Sequence, residues 1–208
     1  MRRQTGSHPE MAIGPIPRVI TDAAALAQRA RDGARDTVKF RAWVKFRSTL
    51  PDQDLEAMVR AVADAVWRQV DCTACGRCCQ VLEVSLDDED IARLAKRFGL
   101  SPRAFARRYV AGRGKERCFG ARPCPFLRGN VCSVYAERPK ACRDFPYLHA
   151  PGFRERLLLL MDYSFFCPIV LNTLEVLKRR LPWRHSAKPH RSGAPTLQER
   201  GLSADNTE

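Results

Sequence analysis

The chain is predicted to fold as an α+β protein, mainly α: a small helical shell around an irregular cysteine-rich centre, with a short β element. Three observations carry that prediction. Apolar residues recur at helical spacing in several separate segments; Pro and Gly concentrate in one long stretch between them; and eight of the nine cysteines lie between positions 72 and 142. With 208 residues, 45% of them hydrophobic, the chain suffices for one domain with a real core and is too short for two large ones. The expected organisation is a disordered segment over 1–20, a peripheral helical segment over 21–50, a cysteine-cluster domain over 51–182 and a disordered basic tail over 183–208.

Residues 1–18 are rich in Pro, Gly and charge and have little to bury, so they read as disordered. From Thr21 an Ala-rich stretch forms a short surface helix broken near Gly33. Phe40, Trp43, Val44 and Phe46 then add an apolar patch that packs back on the domain, with no function assigned. A firmer helix follows Pro51: Leu55, Met58, Val59, Val62, Val66 and Val70 recur at three- and four-residue steps, and Asp52 and Asp54 suit the positive end of its dipole. It runs into Cys72, which lets a packed element position the first thiols.

Residues 81–84 read as a short extended segment. Ser85 or Asp87 caps the next helix, which carries Ile91, Leu94, Ala95 and Phe98 and ends at Gly99. Ser101-Pro102 opens another, with Phe105, Tyr109 and Val110 inward. Loops occupy 112–152, and residues 154–163 read as a strand with Leu157 and Leu159 on its core side. Cys167-Pro168 then starts a final amphipathic helix whose apolar set is Ile169, Leu171, Leu174, Val176, Leu177 and Leu181, stopped by Pro182.

The first residues lack the apolar core of a secretory signal, and the longest aliphatic run, 157–161, is far too short to cross a bilayer. No transmembrane segment is expected, and cytoplasmic residence is the default. In a reducing compartment disulfides rarely persist, and nine cysteines leave one over in any full pairing. Metal ligation is therefore favoured over a disulfide framework or unligated redox thiols.

Cys72, Cys75, Cys78 and Cys79 fall within eight residues as two CxxC steps sharing a cysteine, with Gly76 letting the backbone turn. Neighbouring side chains project to roughly opposite sides, so Cys78 and Cys79 serve two sites, or one bridges while the other caps. Cys124, Cys132, Cys142 and Cys167 bring the set to eight thiols. Two four-thiolate sites are the simplest arithmetic: Cys72, Cys75 and one of the pair in the first, the other joining later cysteines in the second. Zinc bridged by shared thiolates is a further arrangement. Zinc would close such sites tetrahedrally and act structurally, whereas iron–sulfur clusters take the same ligands. Cys167-Pro168 echoes the ferredoxin Cys-Pro, while Cys79 breaks the ferredoxin spacing. The cofactor expectation is thus zinc or iron, with one or two iron–sulfur clusters as the iron form, and a centre whose folding depends on metal.

The run Cys72-Thr-Ala-Cys75-Gly-Arg-Cys78-Cys79, then Cys124-Pro-Phe-Leu with Cys132-Ser-Val-Tyr135, then Glu137-Arg138-Pro139-Lys-Ala-Cys142-Arg143-Asp-Phe145-Pro146, resembles the YkgJ-type cysteine-cluster family, the CxxCxxCC zinc- or iron-chelating domain. The resemblance spans residues 70–168 and implies metal binding without fixing the metal. Some members resemble the cysteine-rich part of a flagellin lysine methylase, which implies modification of a protein side chain. Cys118 falls outside the matched set, as a free thiol or alternative ligand. Pro139 fixes the turn that presents Cys142, and Arg138 and Arg143 are expected to donate to thiolate sulfurs or nearby carbonyls. The alternative is pairing with Glu137, Asp144 or Glu155.

The formal charge of +13 gathers at Arg103, Arg107, Arg108, Arg113, Lys115, Arg117 and Arg122 and again at Lys178, Arg179, Arg180, Arg184, Lys188 and Arg191. An anionic partner, nucleic acid, acidic protein or anionic lipid, is one reading; a solvated face with a basic tail is the blander and favoured one. Bound thiolate centres would themselves remove about four positive charges. His149 is a minor candidate for replacing one thiol, His185 and His190 lesser ones still, and the acidic run 87–90 suits a helix start better than a cation site. Residues 112–115 lack the features of a phosphate-binding loop. The leading function is therefore a metal-binding cysteine-cluster protein. A metal-dependent redox or protein-modifying, methylase-like enzyme stands as the alternative, and a metal-shaped basic binding module as the third.

Overall fold

A computed structural model describes residues 14–184. Residues 1–13 and 185–208, and with them His185, Lys188, His190, Arg191 and most of the expected tail, lie outside the described residues. Among the described residues helices dominate: α1 Ala23–Asp32, α2 Ala34–Phe46, α3 Asp52–Trp67, α4 Cys72–Cys75, α5 Arg77–Val81, α6 Asp88–Arg97, α7 Pro102–Tyr109, α8 Lys140–Asp144, α9 Phe153–Tyr163 and α10 Pro168–Arg180. Two antiparallel ladders supply the β element: β1 Val110–Ala111 with β2 Cys118–Phe119, and β3 Leu127–Arg128 with β4 Val131–Cys132. The fold is α+β and mainly α. No described helix is long and apolar enough to cross a membrane.

Helix α10 forms the hub of the larger core. Every residue from Pro168 to Lys178 is buried, and α1, α2, α3 and α9 pack around it. A helix enclosed on all sides must settle its polar groups internally. Asn172 does so by accepting from the Ile20 N–H and donating to the Ile20 carbonyl, both at 2.9 Å. The segment 21–50 contributes to this core itself, since Phe40, Trp43 and Val44 are buried in it. Phe46, expected in the same patch, is instead 74% exposed. At 100° per residue it falls outside the stripe that Phe40, Trp43 and Val44 share.

The expected strand over 154–163 is helix α9. Phe153, Leu157 and Leu160 are buried at i, i+4 and i+7, while Leu158 and Leu159 face solvent, so Leu159 does not serve the core. An unbroken apolar run fits either period on its own; Phe153 and Gly152 before it settle the helical one. Arg154 fastens α9 over the α2–α3 connection by pairing with Asp52 at 2.5 Å, donating to the Leu50 carbonyl at 2.5 Å and bonding the Val44 carbonyl.

A second, smaller core holds Val84, Leu86, Ile91, Leu94, Phe105, Phe119, Phe126 and Val134. Phe98, Phe105, Tyr109 and Phe126 lie ring against ring within it, with Phe126 as the common member at 5.0–6.1 Å. Local signals start its helices as expected. Asp87 accepts from the Asp90 N–H at 2.7 Å in a reciprocal capping box, and Ser101 accepts from the Ala104 N–H at 3.2 Å. Residues 82–84 continue extended from α5, and Ser85 bridges to Cys118.

Candidate metal centre

The first thiols are presented by a two-helix knuckle. Asp71 caps α4 by accepting from the Thr73 N–H at 2.8 Å, and Gly76, at φ 61°, turns the chain into α5. That conformation costs L-residues with a Cβ about 1–2 kcal/mol. Cys72 and Cys75 stand at the ends of α4, and Cys78 and Cys79 lie side by side on α5. The Cys79 carbonyl accepts from the Cys124 N–H at 2.7 Å, tying the knuckle to the segment that leads into the β3–β4 hairpin and Cys132. Cys142 rides on α8 behind Pro139, and Cys167 occupies the N-cap of α10. All nine cysteines are free thiols.

Electrostatic influence sorts the thiols into two groups. Cys167 is pushed up to about 12 by burial; the Val170 and Ile169 amides pull the other way, and Cys72 and Cys75 add to the rise. Burial and then Cys75 push Cys72 up to about 11. On the other side, Cys142 rises to about 12 through burial and then through Cys79, Cys124 and Cys132. Cys124 rises to about 11 through burial, with Cys79 and Cys132 contributing, and Cys132 rises through burial and Cys79. Cys79 is raised first by its hydrogen bond with Cys78, then by burial. Cys72 and Cys75 thus act on Cys167, Cys79 acts on Cys124, Cys132 and Cys142, and Cys78 meets the second group at Cys79. The two groups also rest on different cores: Cys72 and Cys167 on the larger, Cys124, Cys132 and Cys142 on the smaller.

As they stand, no three His, Cys, Asp or Glu side chains among the described residues converge closely enough to hold an ion. The donor chemistry nevertheless suits a soft or borderline metal cation. Packed thiols suppress one another's ionisation, and a cation among them would reverse that. Amides already point at the sulfurs, from Phe126 and Leu127 to Cys124, from Val134 to Cys132, and from Ile169 and Val170 to Cys167. Such N–H donors stabilise sulfur in its charged form. A cavity of about 130 Å³ lies between, lined by Cys72, Cys78, Cys79, Cys124, Cys132 and Cys142 and walled by aromatic side chains including Tyr135, Tyr147 and Tyr163. Tyr147 holds its place there at φ 63°, in the left-handed region.

Arg138 reaches the same cavity. Its guanidinium lies 3.8 Å over the Tyr135 ring and donates to the Tyr135 carbonyl at 3.1 Å, and its charge favours ionised Cys72, Cys132 and Cys142. Arg143 braces it by donating to the Arg138 carbonyl at 2.5 Å. The carboxylates offered as competing partners are engaged elsewhere where they pair at all: Glu137 meets Arg97 at 3.8 Å, and Asp144 pairs with Lys140. His149 lies 2.7 Å from Asp64 and beside Trp67, and is not among the residues that line the thiol cavity. Cys118 is hydrogen-bonded to Glu83 and stands apart as well.

Three supporting residues escaped the sequence argument. Asp90, 2% exposed, accepts from the Lys140 N–H at 3.0 Å and pairs with Arg93. Arg93 in turn donates to the Glu137 and Arg138 carbonyls at 3.3 and 3.2 Å, so the pair clamps the segment that presents Cys142. Asn130 carries the backbone against which Gly76 packs. The Gly129-Asn130 dipeptide, between Leu127-Arg128 and Val131-Cys132, was a hairpin signal. Nothing local marks Asp90 as reaching fifty residues down the chain.

No curated protein and no solved structure matches the chain. One family model does, over residues 71–164, a little under half of the chain, and its description is "Putative zinc- or iron-chelating domain". The matched stretch runs from the cap of α4 to the end of α9 and contains every cysteine except Cys167. With their CxxCxxCC run on the α4–α5 knuckle, residues 71–164 are similar to the CxxCxxCC family of zinc- or iron-chelating domains.

Proposed function

We propose that the protein is a metal-binding cysteine-cluster protein with two thiolate centres. Cys72, Cys75, Cys78 and Cys167 form the first, and Cys79, Cys124, Cys132 and Cys142 the second. The observation that carries this is the placement of the thiols on two cores, Cys72 and Cys167 against the larger and Cys124, Cys132 and Cys142 against the smaller, with Cys78 and Cys79 side by side on α5. Cys78 completes the first centre because the second has its four without it. Zinc would cross-link the two cores; iron, as an iron–sulfur form, would add a redox couple. Free thiols throughout suit a reducing, cytoplasmic setting.

Anaerobic purification followed by iron, zinc and acid-labile sulfide analysis, with a visible spectrum, tests this reading. The expected result is two centres' worth of metal per chain. A colourless, metal-free protein that is fully folded overturns it. The enzyme alternative draws on the same cavity, where Tyr135, Tyr147, Tyr163 and Arg138 line space beside the thiols. It requires one cysteine that is dispensable for metal retention yet needed for turnover, and equal dependence on all eight removes it.

A further inference from the structure

We propose that the groove between residues 83–85 and 111–122, which follows α7 in the chain, binds the phosphodiester backbone of a nucleic acid. Residues 101–128 hold eight arginines and lysines against a single acid, Glu116. Arg103, Arg107, Arg113, Lys115 and Arg122 are exposed and make no ion pair among the described residues. Within the other basic set Arg179 is exposed and makes no ion pair among the described residues, while three of its neighbours are engaged within the fold. Lys178 is buried on Glu175, Arg180 donates to the Gly14 carbonyl at 2.6 Å, and Arg184 pairs with Asp36 at 3.0 Å. Among the described residues, exposed cations without an ion pair also stand on α2, at Arg35, Lys39 and Lys45, but residues 101–128 set five of them against a single acid, where uncompensated cations repel one another unless an anion joins them.

The groove has the shape for such an anion. The open groove offers about 850 Å³, with Lys115, Arg117 and Arg122 on its walls against Glu83 and Glu116, and with Gly112, Gly120 and Ala121 among its lining residues, where small side chains let a ligand backbone approach. It is also held in place beforehand. Arg117 pairs with Asp88 at 2.7 Å and donates to the Gly114 carbonyl at 2.9 Å, while its own carbonyl accepts from the Leu86 N–H at 2.9 Å. Gly112 closes the turn so tightly that a Cβ would lie 2.2 Å from the Glu116 carbonyl oxygen. Seven of the eight cations are arginines, whose forked donors match phosphate oxygens two at a time. An acidic protein would need an apolar pocket for an anchoring side chain, and small and charged residues make up most of this groove.

The test uses the metal-loaded full chain and fluorescence anisotropy with a labelled 20-nucleotide RNA and a DNA duplex, with polyglutamate and anionic phosphatidylglycerol vesicles as competitors. Nucleic acid is expected to bind with a log–log salt slope near −3 for the single strand, at about 0.7 per phosphate contact and four or five contacts. Arg113→Glu/Lys115→Glu/Arg122→Glu should weaken binding at least tenfold while metal content stays full. The matched control on α2, Arg35→Glu/Lys39→Glu/Lys45→Glu, should change it less than threefold. Equal losses in the two variants would reduce the effect to net charge and overturn the proposal, as would polyglutamate or vesicles competing as well as unlabelled RNA. Because metal content is measured on every sample, failure of the groove and failure of the thiolate centres are read separately.

Discussion

Gly76 and Asn130 meet backbone to backbone: a Cβ on Gly76 would lie 2.4 Å from the Asn130 carbonyl oxygen. Gly76 joins the two helices of the CxxCxxCC knuckle, and Asn130 turns the β3–β4 hairpin that carries Cys132, so one contact sets the two thiol-bearing elements against each other. Gln80 reinforces it by donating to the Asn130 side chain at 3.2 Å. Gly76→Ala combines the left-handed penalty with a clash against backbone that has no rotamer to yield, and is expected to cost about 3 kcal/mol or more and to strip metal from the chain. Gly99→Ala is the control, because Gly99 has φ 63° but open space around it, and should cost only about 1–2 kcal/mol. Urea unfolding and metal content per chain distinguish them, and equal effects would sink the contact's role.

Asp90 connects the start of α6 to the start of α8, and so to Cys142. Asp90→Ala leaves the part-buried Lys140 N–H without its acceptor and Arg93 without its carboxylate, a loss of about 2–4 kcal/mol. Asp90→Asn keeps an acceptor and should recover part of it. A chelator challenge reads the functional side: the alanine variant is expected to lose metal from the Cys142 centre several-fold faster than the wild type. If metal loss is unchanged while stability falls, the clamp serves the fold alone.

Glu175 lies between Arg29 and Lys178 in the larger core, with Arg29 Nε at 2.9 Å and Lys178 also donating to Thr37 at 3.1 Å. Burial opposes its ionisation, yet hydrogen bonds from Lys178 and Arg29 prevail and hold its pKa below the ordinary carboxylate value. A lowered folded pKa stabilises the fold fully above the unfolded value of about 4.3, and that contribution disappears as pH falls through the folded pKa. Glu175→Gln should therefore unfold about 3 kcal/mol more easily at pH 7, since it strands a buried lysine, and the difference from wild type should shrink below pH 4. Glu175→Leu/Lys178→Met should recover most of the loss. A wild-type advantage that persists unchanged at pH 3 would contradict the assignment.

These residues show where sequence was sufficient. Helices α3, α6, α7 and α10 were legible because caps and apolar spacing agree within each segment, and local agreement is what periodicity measures. Helix α9 was not, because residues 157–161 are apolar without interruption and carry no period of their own. At the thiol centre, spacing named the cysteines and the adjacency of Cys78 and Cys79 suggested two groups. Which later thiol joins which group depended on tertiary placement: Cys167 comes back to Cys72 and Cys75 only because α10 runs through the same core as α3. Asp90, Arg93 and Asn130 support the centre through backbone contacts far along the chain, and no residue type announces such a contact.

The partition of the thiols makes a prediction that a single shared centre would not. Cys167→Ser should deplete the metal associated with Cys72 and Cys75 while the Cys79, Cys124, Cys132 and Cys142 centre keeps its own; Cys142→Ser should do the reverse. Metal per chain then falls by about half in each single variant and nearly to zero in the double, since independent sites add. Cys118→Ser should leave metal content at the wild-type level, because Cys118 bonds Glu83 and stands outside both groups. Cys78→Ser and Cys79→Ser locate the junction. If Cys78 belongs with Cys72, its loss matches that of Cys167→Ser in metal and spectrum; if it bridges, its loss empties both centres at once, and the two-centre assignment gives way to one polynuclear site.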